Sequence, residues 1–251
     1  MIKEALSLKV IKDIVVFGDS ILKGIQINPL NKRYRVDNHI GIDAISEKHA
    51  VSIENHSKFG CTISRGYAAI EKWLQKGARC DAIVMDFGGN DCDFIWQEIS
   101  DRPTEEHEPN TPLSVFADTY RKLIDMLKKS GILPVLTTLP PLAPQKFFDW
   151  FMNGLNKENV LKWLGDVNAI YRHQESYSRE IEKIALEENV PVVDLRGAFL
   201  KNRHIDQLLC EDGTHPNTEG QKTITTAFLD FAEWLSRQRT LARANAQPSF
   251  A

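Results

Sequence analysis

Four short polar segments of the sequence contain residue types that together support acyl transfer. They are Gly18-Asp19-Ser20, Lys58-Phe59-Gly60, Gly88-Gly89-Asn90-Asp91 and Asp212-Gly213-Thr214-His215-Pro216. A serine hydroxyl is a poor nucleophile unless a base removes its proton, and a carboxylate that fixes the tautomer of a histidine improves that base. Ser20 is therefore the candidate nucleophile, His215 the candidate base and Asp212 its carboxylate partner.

Donors for an oxyanion complete this set of residue types. The tetrahedral intermediate of acyl transfer carries a negative oxygen, which preorganised N–H groups stabilise. The candidates are the backbone N–H groups of Ser20 and Gly60 and the side-chain amide of Asn90. Each segment alone has a simpler explanation, since serine often caps a helix and Asp, Gly and Pro form turns. Their joint occurrence favours the catalytic interpretation.

Apolar runs that alternate with helical periodicity predict the elements that position these segments. Strands are predicted at residues 14–17, 51–55, 82–87, 132–139 and 191–195. Helices with an apolar stripe toward the core are predicted within residues 63–74, 113–127, 181–185 and 224–235. Strands that alternate with helices indicate an α/β fold, with a parallel sheet covered on both faces.

The predicted sheet brings the polar segments to one edge. In an open parallel sheet, ligands bind at the carboxyl ends of the strands, near the point where the strand order reverses. Three of the four segments follow a predicted strand directly, and the fourth follows the last strand after a stretch of loop.

In order and approximate spacing, the four segments resemble the SGNH (GDSL) hydrolase superfamily over residues 14–230. The resemblance implies a flavodoxin-like, three-layer α/β/α fold with a five-stranded parallel sheet. It implies a serine esterase or acyl hydrolase without metal or cofactor, with Ser20, His215 and Asp212 as the triad. Gly60 and Asn90 match the oxyanion donors of the family. Ile21 stands where the short motif of the family has Leu, a similar-sized apolar residue.

Composition excludes several other classes of protein. The 251 residues include 31 Lys and Arg against 34 Asp and Glu, and this near-balance argues against nucleic acid as the main partner. No apolar run approaches the length of a membrane span, and the sequence contains no evident membrane-docking stretch. The four cysteines form no C-x-x-C pair, so we expect reduced thiols, partly buried, in a cytoplasmic protein.

The chain is predicted to form a single domain over residues 1–251. Residues 140–175 concentrate aromatic side chains, which predicts either a lid or acyl-pocket wall, or an ordinary packed insertion. The tail at residues 240–251 loses apolar periodicity and is expected to fray.

Two rival functions remain open from the sequence. The expected substrate is a small-molecule or carbohydrate ester with a short acyl group, O-acetyl groups included. A sugar O-acetyltransferase would use the same residues, and a flavodoxin-like binding protein would hold a phosphate or nucleotide at the turn of residues 18–20. The sequence lacks the G-x-G-x-x-G and P-loop patterns near this turn, which argues against the binding protein.

Other polar residues receive simpler interpretations. Asp91 and Asp93 resemble a carboxylate pair for a metal, but we expect Asp91 to brace the Asn90 loop, since no histidine cluster accompanies the pair. The remaining histidines lack paired spacing and are expected to be exposed or singly bonded: His39, His49, His56, His107, His173 and His204.

Overall fold

Five parallel strands form the central sheet of the protein. The structure is a computed structural model and describes residues 11–37 and 42–246. The strands of this part of the chain are β1 (Asp13–Gly18), β2 (Ile25–Ile27), β3 (Tyr34–Val36), β4 (Ser52–Asn55), β5 (Ala82–Asp86), β6 (Leu133–Thr137) and β7 (Val192–Val193). The parallel strands have the order β4-β1-β5-β6-β7. This confirms the predicted sheet, and its order reverses between β1 and β5, the point where flavodoxin-like folds bind ligands.

Helices pack on both faces of the sheet. Their bounds are α1 (Ile42–His49), α2 (Ile63–Gln75), α3 (Trp96–Asp101), α4 (Leu113–Lys129), α5 (Pro144–Phe151), α6 (Lys157–Leu164), α7 (Asn168–Glu187), α8 (Leu195–Leu200) and α9 (Thr218–Ala246), with a 3₁₀ turn at Ile205–Leu208. The four predicted helical regions lie in α2, α4, α7 and α9. Together with the sheet, these helices form the three-layer α/β/α arrangement.

The alternating side chains of β1 separate two apolar cores. Val15 and Phe17 belong to the core under α2, α4 and α7, whereas Val16 belongs to the core under α8 and α9. Because a fully buried Val, Leu or Phe contributes about 1.5–3 kcal/mol, burial on both faces fixes the register of β1. The end of β1, where Ser20 follows, is thereby fixed as well.

The boundaries of β7 and α9 differ from those predicted. Residues 191–195 were expected to form one strand, but Asp194 caps α8 by accepting from the Gly197 N–H at 2.8 Å, so β7 has two residues. The tail that was expected to fray from residue 240 is helical as far as Ala246, where α9 ends, and Ala, Leu and Arg are residues of high helix propensity. Residues 247–251 lie outside the described part of the chain.

An antiparallel hairpin, β2–β3, was not predicted from the sequence. Ile25 pairs with Val36 and Ile27 pairs with Tyr34. Each strand has three residues, too few to show an alternating pattern, and the turn residues Asn28 and Pro29 are the local signal that precedes the second strand. The hairpin carries Tyr34 to the edge of the sheet where the polar segments meet.

Candidate active site

Ser20, His215 and Asp212 form a continuous hydrogen-bonded chain. His215 Nε2 lies 2.9 Å from Ser20 Oγ, and His215 Nδ1 lies 2.6 Å from Asp212 Oδ2. Ser20 and His215 are each 6% exposed, and Asp212 is fully buried. The structure therefore brings together all three residues proposed from the sequence, in the arrangement that lets a histidine accept a serine proton.

The Asp212 carboxylate is held by its own loop. Its Oδ1 accepts from the backbone N–H groups of Thr214 and His215, both at 3.1 Å. Burial raises the pKa of Asp212, but the hydrogen bond and charge of His215 and the two backbone N–H groups outweigh it and lower that pKa overall. An ionised Asp212 can accept from His215 Nδ1–H and favour the tautomer whose Nε2 faces Ser20.

Ser20 lies in a turn and not at the start of a helix. The Ser20 carbonyl accepts from the Ile25 N–H at 3.0 Å, and the turn leads into β2. The simpler explanation for Ser20, that it caps the start of a helix, is therefore wrong. Within the described residues, the N–H groups of Ser20 and Gly60 donate to no acceptor, which leaves both available to a bound oxyanion.

Gly60 reaches this position through a left-handed backbone conformation. Its φ is +68°, and a Cβ added there meets nothing within 4 Å. Asn90 approaches from the end of β5, where its Nδ2 donates to Asp19 Oδ2 at 3.0 Å and makes a longer, 3.4 Å contact with the Cys61 carbonyl. The conformation of Gly60 suits glycine, which adopts a positive φ readily, whereas a positive φ costs other residues conformational free energy.

Replacing Gly60 with Ala is expected to lower kcat/KM for ester hydrolysis by about 10-fold to 100-fold. The added methyl group clashes with nothing, so the loss arises from backbone strain that displaces the Gly60 N–H. Steady-state kinetics measures the change. Gly77→Ala is the matched control, because Gly77 has φ +79° and equal free space but lies at the end of α2. Equal activity losses in the two variants would argue against a role for the Gly60 N–H.

Three buried aspartates lie beneath the polar edge of the sheet. Burial, reinforced by the charge of Asp86, raises the pKa of Asp19 well above its ordinary value. Burial also raises the pKa values of Asp86 and Asp91 to about 6. Asp91 accepts from the Ile63 N–H with both carboxylate oxygens, at 3.0 and 3.1 Å. It thus joins the Asn90 loop to the start of α2, the bracing role expected from the sequence.

Asp86 makes the stability of the protein depend on pH. Its Oδ1 accepts from Thr137 Oγ1 at 2.7 Å, whereas its Oδ2 is buried without a partner among the described residues. Between its ordinary pKa of 3.8 and about 6, the folded state binds more protons at Asp86 than the unfolded state. The contribution of Asp86 to stability therefore decreases as pH rises through this window.

We expect Asp86→Asn to abolish this decrease. From pH ~4 to ~7, the free energy of unfolding of the variant relative to the unsubstituted protein should rise by about 2 kcal/mol. Urea unfolding at several pH values measures this difference. Asp118→Asn is the control, because Asp118 is exposed. A relative stability of Asp86→Asn that stays constant with pH would contradict the raised pKa.

Comparison with known proteins identifies the family of this chain. The model of the GDSL-like lipase/acylhydrolase family matches residues 16–223. The chain belongs to the GDSL-like lipase/acylhydrolase family. Membership makes it a hydrolase of the SGNH type, and the four polar segments all lie within the matched residues. Among curated proteins, none matches the sequence.

Solved structures of GDSL-like hydrolases share the fold. A lipase/acylhydrolase from Enterococcus faecalis has a TM-score of 0.63 at 19% identity, covering 90% of this chain and 96% of that one. A catalytic mutant of Axe2, an acetylxylan esterase from Geobacillus stearothermophilus, has a TM-score of 0.62 at 20% identity, covering 88% and 93%. TesA has a TM-score of 0.58 at 17% identity, covering 89% and 99%.

Two aromatic residues of this GDSL-like hydrolase pack on His215 and were missed in the sequence. The Tyr34 ring centroid lies 5.1 Å from that of His215, and Phe59 stacks on the imidazole at 5.9 Å with an interplanar angle of 8°. Burial and the charge of Asp212 raise the pKa of Tyr34 to about 12, so Tyr34 stays a neutral phenol. Phe59 belongs to a segment that was singled out for Gly60 alone.

The aromatic segment at residues 140–175 forms α5, α6 and the start of α7. Phe147, Phe148 and Val160 pack with Trp96 and Ile99 in a third apolar cluster. The segment also lines a cavity of about 240 Å³ beside the triad. The segment is therefore packed on the rest of the fold, and its role as a lid or acyl-pocket wall stays a prediction.

The cysteines and the other histidines take no part in the hydrogen-bonded chain of Ser20, His215 and Asp212. All four cysteines are free and buried, as expected. His107 Nε2 contacts the Arg102 carbonyl at 2.9 Å and His204 is exposed, whereas His173 lines the cavity. His39 lies outside the described residues. None of the helices described is long and apolar enough to cross a membrane.

Proposed function

We propose that this protein is a serine esterase that hydrolyses carboxylic esters through an acyl-enzyme. The observation that supports it is the chain of hydrogen bonds from Ser20 Oγ through His215 to Asp212, at 2.9 and 2.6 Å. Nucleophile–base and base–carboxylate contacts in this range are the geometric signature of an activated serine. The N–H groups of Ser20 and Gly60 and the amide of Asn90 supply the oxyanion hole.

The first half of the reaction forms the acyl-enzyme. Ser20 Oγ attacks the ester carbonyl carbon while its proton passes to His215 Nε2, and the carbonyl oxygen becomes an oxyanion. Asp212 stabilises the imidazolium and does not itself take the proton. When the oxyanion collapses, the bond to the alcohol oxygen breaks, and that oxygen leaves with the proton from His215.

The second half releases the acyl group. A water molecule attacks the acyl carbonyl and gives one proton to His215 Nε2, forming a second oxyanion. Its collapse breaks the bond to Ser20 Oγ, which recovers the proton from His215. The products are a carboxylic acid and free enzyme.

The proposed substrates carry short acyl groups, O-acetyl groups on carbohydrates included. The acetylxylan esterase activity named for Axe2 supports this choice. Tyr34 and Phe59, 38% and 51% exposed beside His215, offer aromatic faces to a substrate. Transfer of the acyl group to a sugar hydroxyl instead of water is the same chemistry with another acceptor. The four buried, unpaired cysteines agree with the proposed cytoplasmic location.

The rival phosphate-binding function is less well supported. Anion binding at a strand end relies on a helix N-terminus, and the turn of residues 18–20 leads into β2. The esterase therefore remains the function that the geometry supports best.

Trapping of the acyl-enzyme tests the proposal. The protein is incubated with p-nitrophenyl acetate, quenched in acid and mapped by peptide mass spectrometry, with heat-denatured protein as the control. An acetyl group on the peptide that contains Ser20, in the folded protein alone, is the expected result. Ester turnover with acetylation at another residue, or with no acetylated peptide, would overturn the assignment of Ser20.

A further inference from the structure

A cavity of about 240 Å³ opens beside the proposed catalytic residues. Its lining includes Gly89, adjacent to Asn90, and Thr214, adjacent to His215. An apolar cavity of about 150 Å³ is enough to hold a benzene molecule. The cavity therefore has room for one compact substituent of a substrate whose ester group lies at Ser20.

Aromatic side chains form part of the walls of this cavity, together with aliphatic residues such as Leu142, Leu164 and Ile170. Phe94, Trp96 and Trp163 belong to the lining, and the Phe94 ring lies edge-on to Trp96 at 5.6 Å and to Trp163 at 5.1 Å. The faces of aromatic rings carry negative electrostatic potential and attract cations. The walls thus suit a positively charged group as well as an apolar one.

The carboxylate of Asp93, which also lines the cavity, favours a positively charged occupant over an apolar one. Asp93 Oδ1 accepts from the Phe94 N–H at 2.9 Å and from Trp96 Nε1–H at 2.8 Å. Burial raises the pKa of Asp93 to about 6, so the carboxylate is ionised at neutral pH. No charged group of the described residues contributes to this shift, and no Lys or Arg lines the cavity. A partly buried charge without a counter-charge is unfavourable.

His173 adds a further acceptor and no positive charge. Burial lowers the pKa of His173, although a hydrogen bond with the Cys92 backbone partly opposes this effect. A neutral imidazole that donates one ring N–H to that backbone keeps its other ring nitrogen as an acceptor. In the described part of the chain, His173 Nε2 is buried and has no hydrogen-bond partner. Carboxylate, imidazole lone pair and ring faces all present negative potential.

We propose that this cavity binds an organic ammonium group, held between the Asp93 carboxylate and the rings of Phe94, Trp96 and Trp163. An uncharged acyl chain or sugar hydroxyl would leave the Asp93 charge unbalanced, whereas an ammonium group balances it. As a substrate subsite, the cavity rests on the proposed esterase function and defines its substrates as esters that carry an ammonium group. Binding of the ammonium group itself does not require catalysis.

Calorimetry with the Ser20→Ala protein tests binding without turnover. The ligands are choline and its neutral carbon analogue, in which a tert-butyl group replaces trimethylammonium. Choline is expected to bind about 10-fold tighter than the analogue, and Asp93→Asn in the same background to remove that preference. Asp118→Asn removes an exposed carboxylate and should retain it. Equal affinities for the two ligands, or no choline binding at millimolar concentration, would overturn the proposal.

Kinetics then tests whether the site serves the ester reaction. The measured quantity is the ratio of kcat/KM for acetylcholine to kcat/KM for the acetate ester of the neutral analogue. We expect a ratio of about 10, reduced toward one by Asp93→Asn and, through loss of a ring face, by Trp163→Leu. Circular dichroism checks that both variants fold. A ratio of one in the unsubstituted enzyme would overturn the subsite.

The two proposals fail in different ways. Choline binding by a protein that hydrolyses none of the esters would refute the esterase function and leave the ammonium site standing. Hydrolysis of both esters at equal rates, without choline binding, would refute the ammonium site and leave the esterase function standing.

Discussion

Replacing Ser20 with Ala is expected to lower kcat for ester hydrolysis by about 10⁴-fold to 10⁶-fold. The variant keeps the oxyanion donors but has no oxygen that can form the acyl-enzyme. His215 Nε2, now without its partner at 2.9 Å, can only activate water. Hydrolysis of p-nitrophenyl acetate, with kcat and KM measured separately, gives the size of the effect.

Ser57→Ala provides the matched control for the Ser20 variant. Ser57 is a buried serine whose Oγ has no hydrogen-bond partner among the described residues, so its removal breaks none of the described hydrogen bonds. We expect this variant to keep its turnover. Comparable turnover in Ser20→Ala and the unsubstituted enzyme would refute the nucleophile assignment.

Asp212→Asn is expected to lower kcat by about 10⁴-fold. The amide can still accept from the Thr214 and His215 N–H groups through one oxygen, so the loop keeps its shape. The amide N–H group that would face His215 Nδ1 favours the opposite tautomer, whose Nε2 carries a proton and cannot accept one from Ser20. Steady-state kinetics, with thermal unfolding measured in parallel, separates this effect from a loss of folded protein.

Asp206→Asn is the control for the Asp212 variant. Asp206 is exposed in the 3₁₀ turn that precedes the same loop, and its replacement removes one carboxylate without contact to His215. Its activity is expected to be unchanged. An Asp212→Asn enzyme within 10-fold of full activity would show that His215 does not depend on the carboxylate.

The parts of the site that follow from parallel-sheet topology were predictable. Ser20 and Asn90 follow β1 and β5, which are hydrogen-bonded neighbours, and each strand is visible as a short apolar run. Any parallel pairing of these two strands brings both residues to the same edge. Asp212 and His215 were predictable as a pair because only Gly213 and Thr214 separate them on one turn.

The parts that depend on packing between distant segments were not predictable. Tyr34 reaches His215 only because two three-residue strands pair, and each strand is too short to show an alternating pattern. The ammonium site depends on how α6 and α7 place Trp163 and His173 against Asp93. In the sequence, Asp93 was one half of an unlikely metal pair and His173 an ordinary histidine. Sequence periodicity places elements, whereas tertiary docking decides which side chains meet.

The loop that carries Asp212 and His215 is held by hydrogen bonds within the loop and by one to the segment before α5. The Cys210 N–H donates to the His215 carbonyl at 2.8 Å, and the Ala143 N–H donates to the Gly213 carbonyl at 2.8 Å. His215 and Asp212 therefore belong to one structural unit, whereas Ser20 belongs to a different segment of the chain. A displacement of this loop would therefore change the distance between His215 Nε2 and Ser20 Oγ more than the distance between His215 Nδ1 and Asp212 Oδ2.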